Sequence, residues 1–303
     1  GPVTLALCQD VQAEAYDYPA SFFAEKIWTP RRPRADAGEL AAAVAALRSA
    51  KKPFVVAGGG VLYGEAEKAL LNFCMARGIP AGETQAGKSC LPAHHPLNMG
   101  AIGVTGTGAA NRMAEEADVV LAVGTRLQDF TTGSWALFKN PGRRIIGLNV
   151  QPFDAGKHRA LPLVADALAG LRDLNRALGD WRAPAQWSEA AATARTNWTQ
   201  TAAAYTDATS APLPSDAQVI GAVQRTGKAS DVVVCAAGGL PGELHKLWNA
   251  GAPGGYHMEY GYSCMGYEIA GGLGVKMAEP RREVIVMVGD GSYLMMNSEI
   301  ATS

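Results

Sequence analysis

Short uninterrupted apolar runs alternate along the chain with longer stretches that read as helices. Phe54-Val55-Val56-Ala57 empties into Gly58-Gly59-Gly60, and Val119 to Val123 into Gly124. Arg144 to Val150, Val232 to Cys235 and Val284 to Val288 are further runs. Runs of this length with no polar alternation read as strands buried on both faces. Residues 39–50 form an Ala/Leu-rich helical stretch stopped by Lys51-Lys52-Pro53. Residues 65–77 form a second, closed by Gly78, and residues 111–117 a third. Strand ends marked by glycine, alternating with helices, predict an α/β fold built on a parallel sheet with crossover helices.

Residues 181–213 break this rhythm. They hold Trp181, Trp187 and Trp198, three of the six tryptophans, among many Ala and Thr. The pattern predicts an amphipathic helix from Trp187 to about residue 207, then a linker closed by Pro212 and Pro214. A second α/β unit follows: Ser215-Asp216 caps a helix over 217–225, and residues 261–278 turn into another. Both ends look cut. Gly1 to Leu7 reads as a buried strand entering in mid-fold, and Asn297 to Ser303 as a helix beginning. The expected division is therefore residues 1–19, 20–180, 181–213 and 214–303.

At 303 residues and 48% hydrophobic, the chain can bury two domain cores. Lys+Arg 27 against Asp+Glu 28 leaves a formal net charge of -1. Nucleic-acid binding needs a concentrated positive field, so it is not expected. Arg31-Arg32-Pro33-Arg34, the one basic cluster, reads as a solvated connector. No apolar run is long enough to span a bilayer. The five cysteines are odd in number and include no C-x-x-C pair, which points to free thiols in a reducing, cytoplasmic setting.

Gly82 to Ser89 (GETQAGKS) matches the phosphate-loop pattern G-x-x-x-x-G-K-[ST]. Such a loop needs a strand before it and a helix starting at the Lys-Ser. Pro80 argues against the strand, and Pro92 and Pro96 against the helix. The match is read as a coincidence of spelling. His94-His95 lack a carboxylate at helical spacing and read as a loop pair, not metal ligands. Gly103-Val104-Thr105-Gly106-Thr107-Gly108 has the wrong spacing for a dinucleotide fingerprint.

The stronger signal is EVIVMVGDGSYLMMNSEIAT, where a strand empties into Gly289-Asp290-Gly291-Ser292. Asp290 there offers a hard oxygen ligand for Mg²⁺, and the glycines offer bare amides to a diphosphate. A simple helix cap is the other reading of Asp290. CAAGGLPGELHKLW supplies a second strand end at Gly238-Gly239, and GYSCMGYEIAGGLGVKMAEP a small-residue helix. Several glycine-marked strand ends in one parallel sheet suit an elongated anionic cofactor.

These segments resemble the thiamine-diphosphate enzymes of the acetolactate synthase and pyruvate oxidase type, over essentially the whole chain. GPVTLALCQDV resembles the last strand of their pyrimidine-binding domain (residues 1–19), and GTRLQDF lies in what looks like their central Rossmann-like domain (20–180). A helical linker (181–213) and the first part of their diphosphate-binding domain (214–303) complete the resemblance. Within the family, ETQAGKSCLPAHHPLNMGAIGVTGT and YHMEYGYSCMGYEIAGGLGVK are similar to the branch that opens trihydroxycyclohexane-1,2-dione hydrolytically in myo-inositol catabolism. The resemblance implies thiamine diphosphate and Mg²⁺ as cofactors. Asp290 would be a metal ligand, Gly291 and Ser292 would lie near the diphosphate, and Gly239 and Leu240 would stand at the facing strand end. Met265 would prop the cofactor in its bent form; core packing is its other reading. His257 and Glu259 are candidates to orient polyol hydroxyls or manage protons, or else a surface pair. The family's second metal ligand, an Asn, would fall beyond Ser303, and its activating Glu in the pyrimidine domain, so residues 1–303 alone are expected to be inactive. The family's site forms between subunits, implying a homodimer or homotetramer. Two rivals remain: a 2-oxo acid carboligase or decarboxylase with the same cofactor, and a non-catalytic module holding FAD at Gly58-Gly59-Gly60 and Gly124-Thr125-Arg126.

Overall fold

Six strands of the computed structural model, which describes residues 4–303, form one wholly parallel sheet. They are β1 (Pro53–Ala57), β2 (Ala81–Glu83), β3 (Asn98–Ala101), β4 (Val119–Val123), β5 (Arg144–Asn149) and β6 (Leu161–Val164). Their order is β3-β2-β1-β4-β5-β6, the doubly wound arrangement, with its switch point between β1 and β4. A second parallel sheet has the order β8-β7-β9, from β7 (Val232–Cys235), β8 (Tyr256–Met258) and β9 (Val284–Val286). The expected α/β architecture holds.

Side chains alternate across the first sheet and bury both faces, as a parallel sheet requires. Val55, Ala57, Leu121, Val123, Ile146 and Leu148 point to one face, under the helices Ala37–Arg48, Glu67–Arg77 and Ala167–Leu178. Phe54, Val56, Val120, Ala122 and Ile145 point to the other, under Gly108–Glu116 and the start of Ala185–Thr206. Side-chain oxygens hold the helix starts: Asp36 accepts from the amides of Gly38 and Glu39, Thr107 from Ala110, and Asp166 from Ala169. Ser215 and Gln218 form a reciprocal capping box.

Helix Ala185–Thr206 runs from one sheet's domain to the other's. Near its start the Trp187 indole donates to Pro53 O at 2.8 Å and Ser188 Oγ to Gly78 O at 2.9 Å. Trp198 packs against both cores. At its end Thr206 O accepts from Arg225 at 2.7 Å, and a Cβ on Gly221 would lie 2.1 Å from that same oxygen.

Three expectations are corrected. Thr4 to Leu7 form no strand; Leu5 is 80% and Leu7 67% exposed, and no neighbouring strand pairs with them among the described residues. Gly1 to Val3 lie outside the described residues. Residues 1–31 form a unit separate from Arg32–Ser303, and its described part holds a short helix, Gln9–Ala13, and a cluster of Tyr16, Tyr18, Phe22 and Phe23. Second, Pro80 does not exclude a strand: β2 starts one residue later, and Pro80 contributes only its carbonyl, which accepts from Val55 N at 3.0 Å. Third, the helix expected over 261–278 starts at Tyr267, not near Gly261, because Gly266 adopts φ +90 and turns the chain just before it.

The phosphate-loop match does not have phosphate-loop geometry. Gly82 lies inside β2, paired to Val56. Lys88 (φ -60, ψ 134) and Ser89 (φ 83) are not helical.

Candidate cofactor site

In the second sheet β7 lies between β8 and β9, and all three strands run parallel, so their C-terminal turns emerge along one edge. β7 runs through Ala236 and Ala237 to Gly238, whose φ of +112 only glycine adopts without strain, and helix Gly239–Leu247 begins there. A side chain on Gly239 would meet nothing within 4 Å, so this turn is open beside the helix start. Leu240 packs on the core beneath.

β9 ends in the second turn, where Gly289 likewise faces open space and helix Asp290–Met296 begins. One carboxylate oxygen of exposed Asp290 accepts from Gly291 N at 2.8 Å, and the other makes no protein hydrogen bond. Ser292 is buried behind it. The third wall is the loop after β8. Met265 Cε lies 3.3 Å from where a Gly291 Cβ would stand, so its methyl group closes over the Asp290 turn. Among the described residues no three His, Cys, Asp or Glu side chains cluster as a metal site, and Asp290 stands as a single hard ligand.

Glu259 and His257 are engaged elsewhere. Glu259 accepts from the amides of Tyr262 at 3.0 Å and Cys264 at 2.5 Å. Burial opposes its ionisation, but those amides outweigh it and hold the carboxyl below its ordinary range. Glu259 thus shapes its own loop. His257 Nε2 lies 2.6 Å from the Tyr267 hydroxyl, and burial lowers its pKa, favouring the neutral ring. It lines a cleft of about 640 Å³ at the switch point of the six-stranded sheet, which Tyr260, Gly60, Thr125 and Arg126 also line. The glycines of that switch point are required by backbone contact: a Cβ on Gly58 would lie 2.4 Å from Gly124 O, and one on Gly60 2.6 Å from Gly124 Cα.

Sequence reasoning missed Glu268. Fully buried, it accepts from Gly266 N at 3.0 Å and so fixes the corner that carries Met265. Its Oε1 has no hydrogen-bond partner. The signal was a Glu in an otherwise small and apolar helix start, Gly266-Tyr267-Glu268-Ile269-Ala270-Gly271-Gly272. A polar chain between the sheets was missed too. The Tyr256 hydroxyl donates to Gln85 Oε1 at 2.9 Å, Gln85 Nε2 donates to Thr105 Oγ1 at 3.2 Å, and Thr105 Oγ1 lies 2.8 Å from His245 Nδ1. Burial, aided by nearby Lys88, lowers His245 to about 3. Burial likewise lowers Lys88 to about 8; Glu83 opposes this and Arg195 adds to it. His94 and His95 form no site: His95 Nδ1 accepts from Leu97 N at 3.2 Å within its own turn.

Residues 40–174 match the family model of the thiamine pyrophosphate enzyme central domain, and residues 236–303 that of the C-terminal TPP binding domain. Relatives named 3D-(3,5/4)-trihydroxycyclohexane-1,2-dione hydrolase match along the whole chain. The protein of Geobacillus thermodenitrificans is 45% identical over 327 residues, and that of Clostridium perfringens 42% over 326. One from Bacillus anthracis is 42% identical over 328 residues. The chain spans about half the length of these relatives, 50% and 51% of the first two.

Proposed function

The chain belongs to the thiamine pyrophosphate enzymes, and from that premise we propose that the whole protein cleaves the ring of a trihydroxylated cyclic 1,2-dione with water. The observation that carries this reading is the edge of the β8-β7-β9 sheet, where open glycine turns follow the neighbouring strands β7 and β9 and Met265 closes over Gly291. The similarity to relatives named for that dione supports the choice of substrate.

The residues fit the cofactor. The amides at Gly239 and Leu240 on one turn, and at Gly291 and Ser292 on the other, would receive the diphosphate, where helix starts favour negative charge. The free oxygen of Asp290 would ligate Mg²⁺. Met265, fixed by the Gly266–Glu268 hydrogen bond, would hold the cofactor's bend. Bound thiamine diphosphate supplies a nucleophilic carbon and an electron sink for breaking a carbon–carbon bond next to a carbonyl. The balanced outcome is one ring C–C bond broken and one water consumed, its oxygen appearing in a new carboxylate and a hydrogen on the other carbon. Neutral His257, steadied by Tyr267, would orient a substrate hydroxyl from the cleft side. The setting proposed is the cytoplasm, in a homodimer or homotetramer. No helix among the described residues is long and apolar enough to cross a membrane.

The test is turnover by full-length protein supplied with thiamine diphosphate and Mg²⁺. Consumption of the cyclic dione with one equivalent of acid released is the expected result. Turnover of pyruvate or glyoxylate instead would move the assignment to the 2-oxo acid carboligases. The cleft beside Gly60 and Gly124 favours a second reading, a nucleotide such as FAD held at the switch point. A yellow protein with flavin absorbance is that reading's outcome; colourless, active protein excludes it.

A further inference from the structure

Between the two sheets lies a second, smaller void whose wall includes Lys88, Asn98, Arg195, Lys246, Trp248 and a single carboxylate, Glu83. Its volume is about 20 Å³, room for one water-sized particle. Lys88 is 5% exposed, and its ammonium makes no hydrogen bond or ion pair among the described residues; it lies 5.7 Å from the centroid of the Tyr256 ring, and Glu83 is the carboxylate that acts on it. Trp248 is 4% exposed, and its indole Nε1–H is buried without an acceptor. A fully buried N–H without an acceptor, lining the same void as a buried ammonium without a hydrogen bond, is costly unless something accepts there.

Among the described residues neither donor has a hydrogen-bond acceptor. The Glu83 oxygens are turned to Leu91 N at 3.0 Å and Asn98 Nδ2 at 3.4 Å. Arg195 donates to Ala93 O, and Lys246 pairs with Glu243 at 3.0 Å. With Lys246 compensated by Glu243, the side chains on the wall still carry two positive charges, Lys88 and Arg195, against one negative, Glu83. A water there could accept twice but would bring two hydrogens that need acceptors of their own. A small anion accepts from every donor and donates none.

We propose that this void is a binding site for one small monovalent anion of the halide class, held by the Lys88 ammonium and the Trp248 indole N–H. Lys246 lies in the last turn of helix Gly239–Leu247, and Trp248 is its C-cap. The anion therefore ties that helix to the Gln85–Gly87 turn region of the six-stranded domain, and acts as a clamp between the two sheets. The site uses none of the residues assigned to the dione reaction, so the two readings stand or fall separately.

Crystals of the full-length protein grown with bromide replacing chloride should show an anomalous bromine peak within contact of Lys88 Nζ and Trp248 Nε1. The thermal unfolding midpoint should rise saturably with bromide or chloride, measured against gluconate at equal ionic strength. Trp248→Phe, which removes the N–H and keeps most of the ring volume, should weaken the halide response about tenfold, and Lys88→Met should abolish it. Should Lys88→Met not fold, Trp248→Phe decides alone. A void filled by water in bromide crystals overturns the proposal. So does a peak without any midpoint dependence, which would mean an adventitious ion only, and so does a halide response unchanged in Trp248→Phe.

Discussion

Replacing Gly87 by alanine will destabilise the six-stranded domain by about 3 kcal/mol or more, measured by urea denaturation. The new Cβ would lie 2.2 Å from Ala57 O, 2.8 Å from Ala57 C and 2.9 Å from Gly58 C. All three are backbone atoms at the end of the central strand β1, so no side chain can rotate away. Ala57 O is also committed, accepting from Thr84 N at 2.9 Å. Gly156→Ala is the control: a Cβ there meets nothing within 4 Å, and stability should stay level or rise by up to about 1 kcal/mol. A Gly87→Ala protein as stable as the parent would refute this account. The glycine that completes the phosphate-loop spelling is there for backbone packing.

The second large effect is functional. In the full-length protein, Asp290→Ala should weaken thiamine diphosphate binding in the presence of Mg²⁺ by at least about 100-fold, since even residues behind a metal's ligands commonly cost 10–100-fold. Folding should be nearly untouched, within about 0.5 kcal/mol, because Asp290 is exposed and its one bond is to the next amide. Asp290→Asn keeps that local bond and loses the charge, so it separates turn geometry from metal ligation. Isothermal titration with the cofactor and unfolding of the apoprotein read the two effects independently. Unchanged affinity in both variants would remove Asp290 from the site.

The strands legible in the sequence were those with an apolar run of their own: β1, β4, β5, β7 and β9. β2, β3, β6 and β8 were not; for the three in the first sheet there is a physical reason. Ala81–Glu83, Asn98–Ala101 and Leu161–Val164 are three or four residues long, and contain Gly, Pro or a charge. β2 and β6 become strands because the longer β1 and β5 offer their edges, and β3 pairs in turn on β2; Glu83 is acceptable in β2 only because Leu91 N and Asn98 meet its carboxylate. The error at Thr4 to Leu7 is the converse, an apolar run with no edge to pair with. Near the cofactor site, the glycine turns could be read because backbone geometry restricts the residue type. Glu268, Lys88 and Trp248 could not, since what each does depends on partners far away in sequence.

Helix Ala185–Thr206, 22 residues and about 33 Å long, is held at both ends by groups that cannot shift independently. One inserted residue would swing its far end by about 100° and carry Thr206 off Gly221. The slack in this connection resides instead in residues 207–214, a wholly exposed stretch outside regular structure that closes back onto helix Asp216–Thr226. There the chain can be lengthened, nicked or spliced to a tag, while the strut before it behaves as a part machined to length.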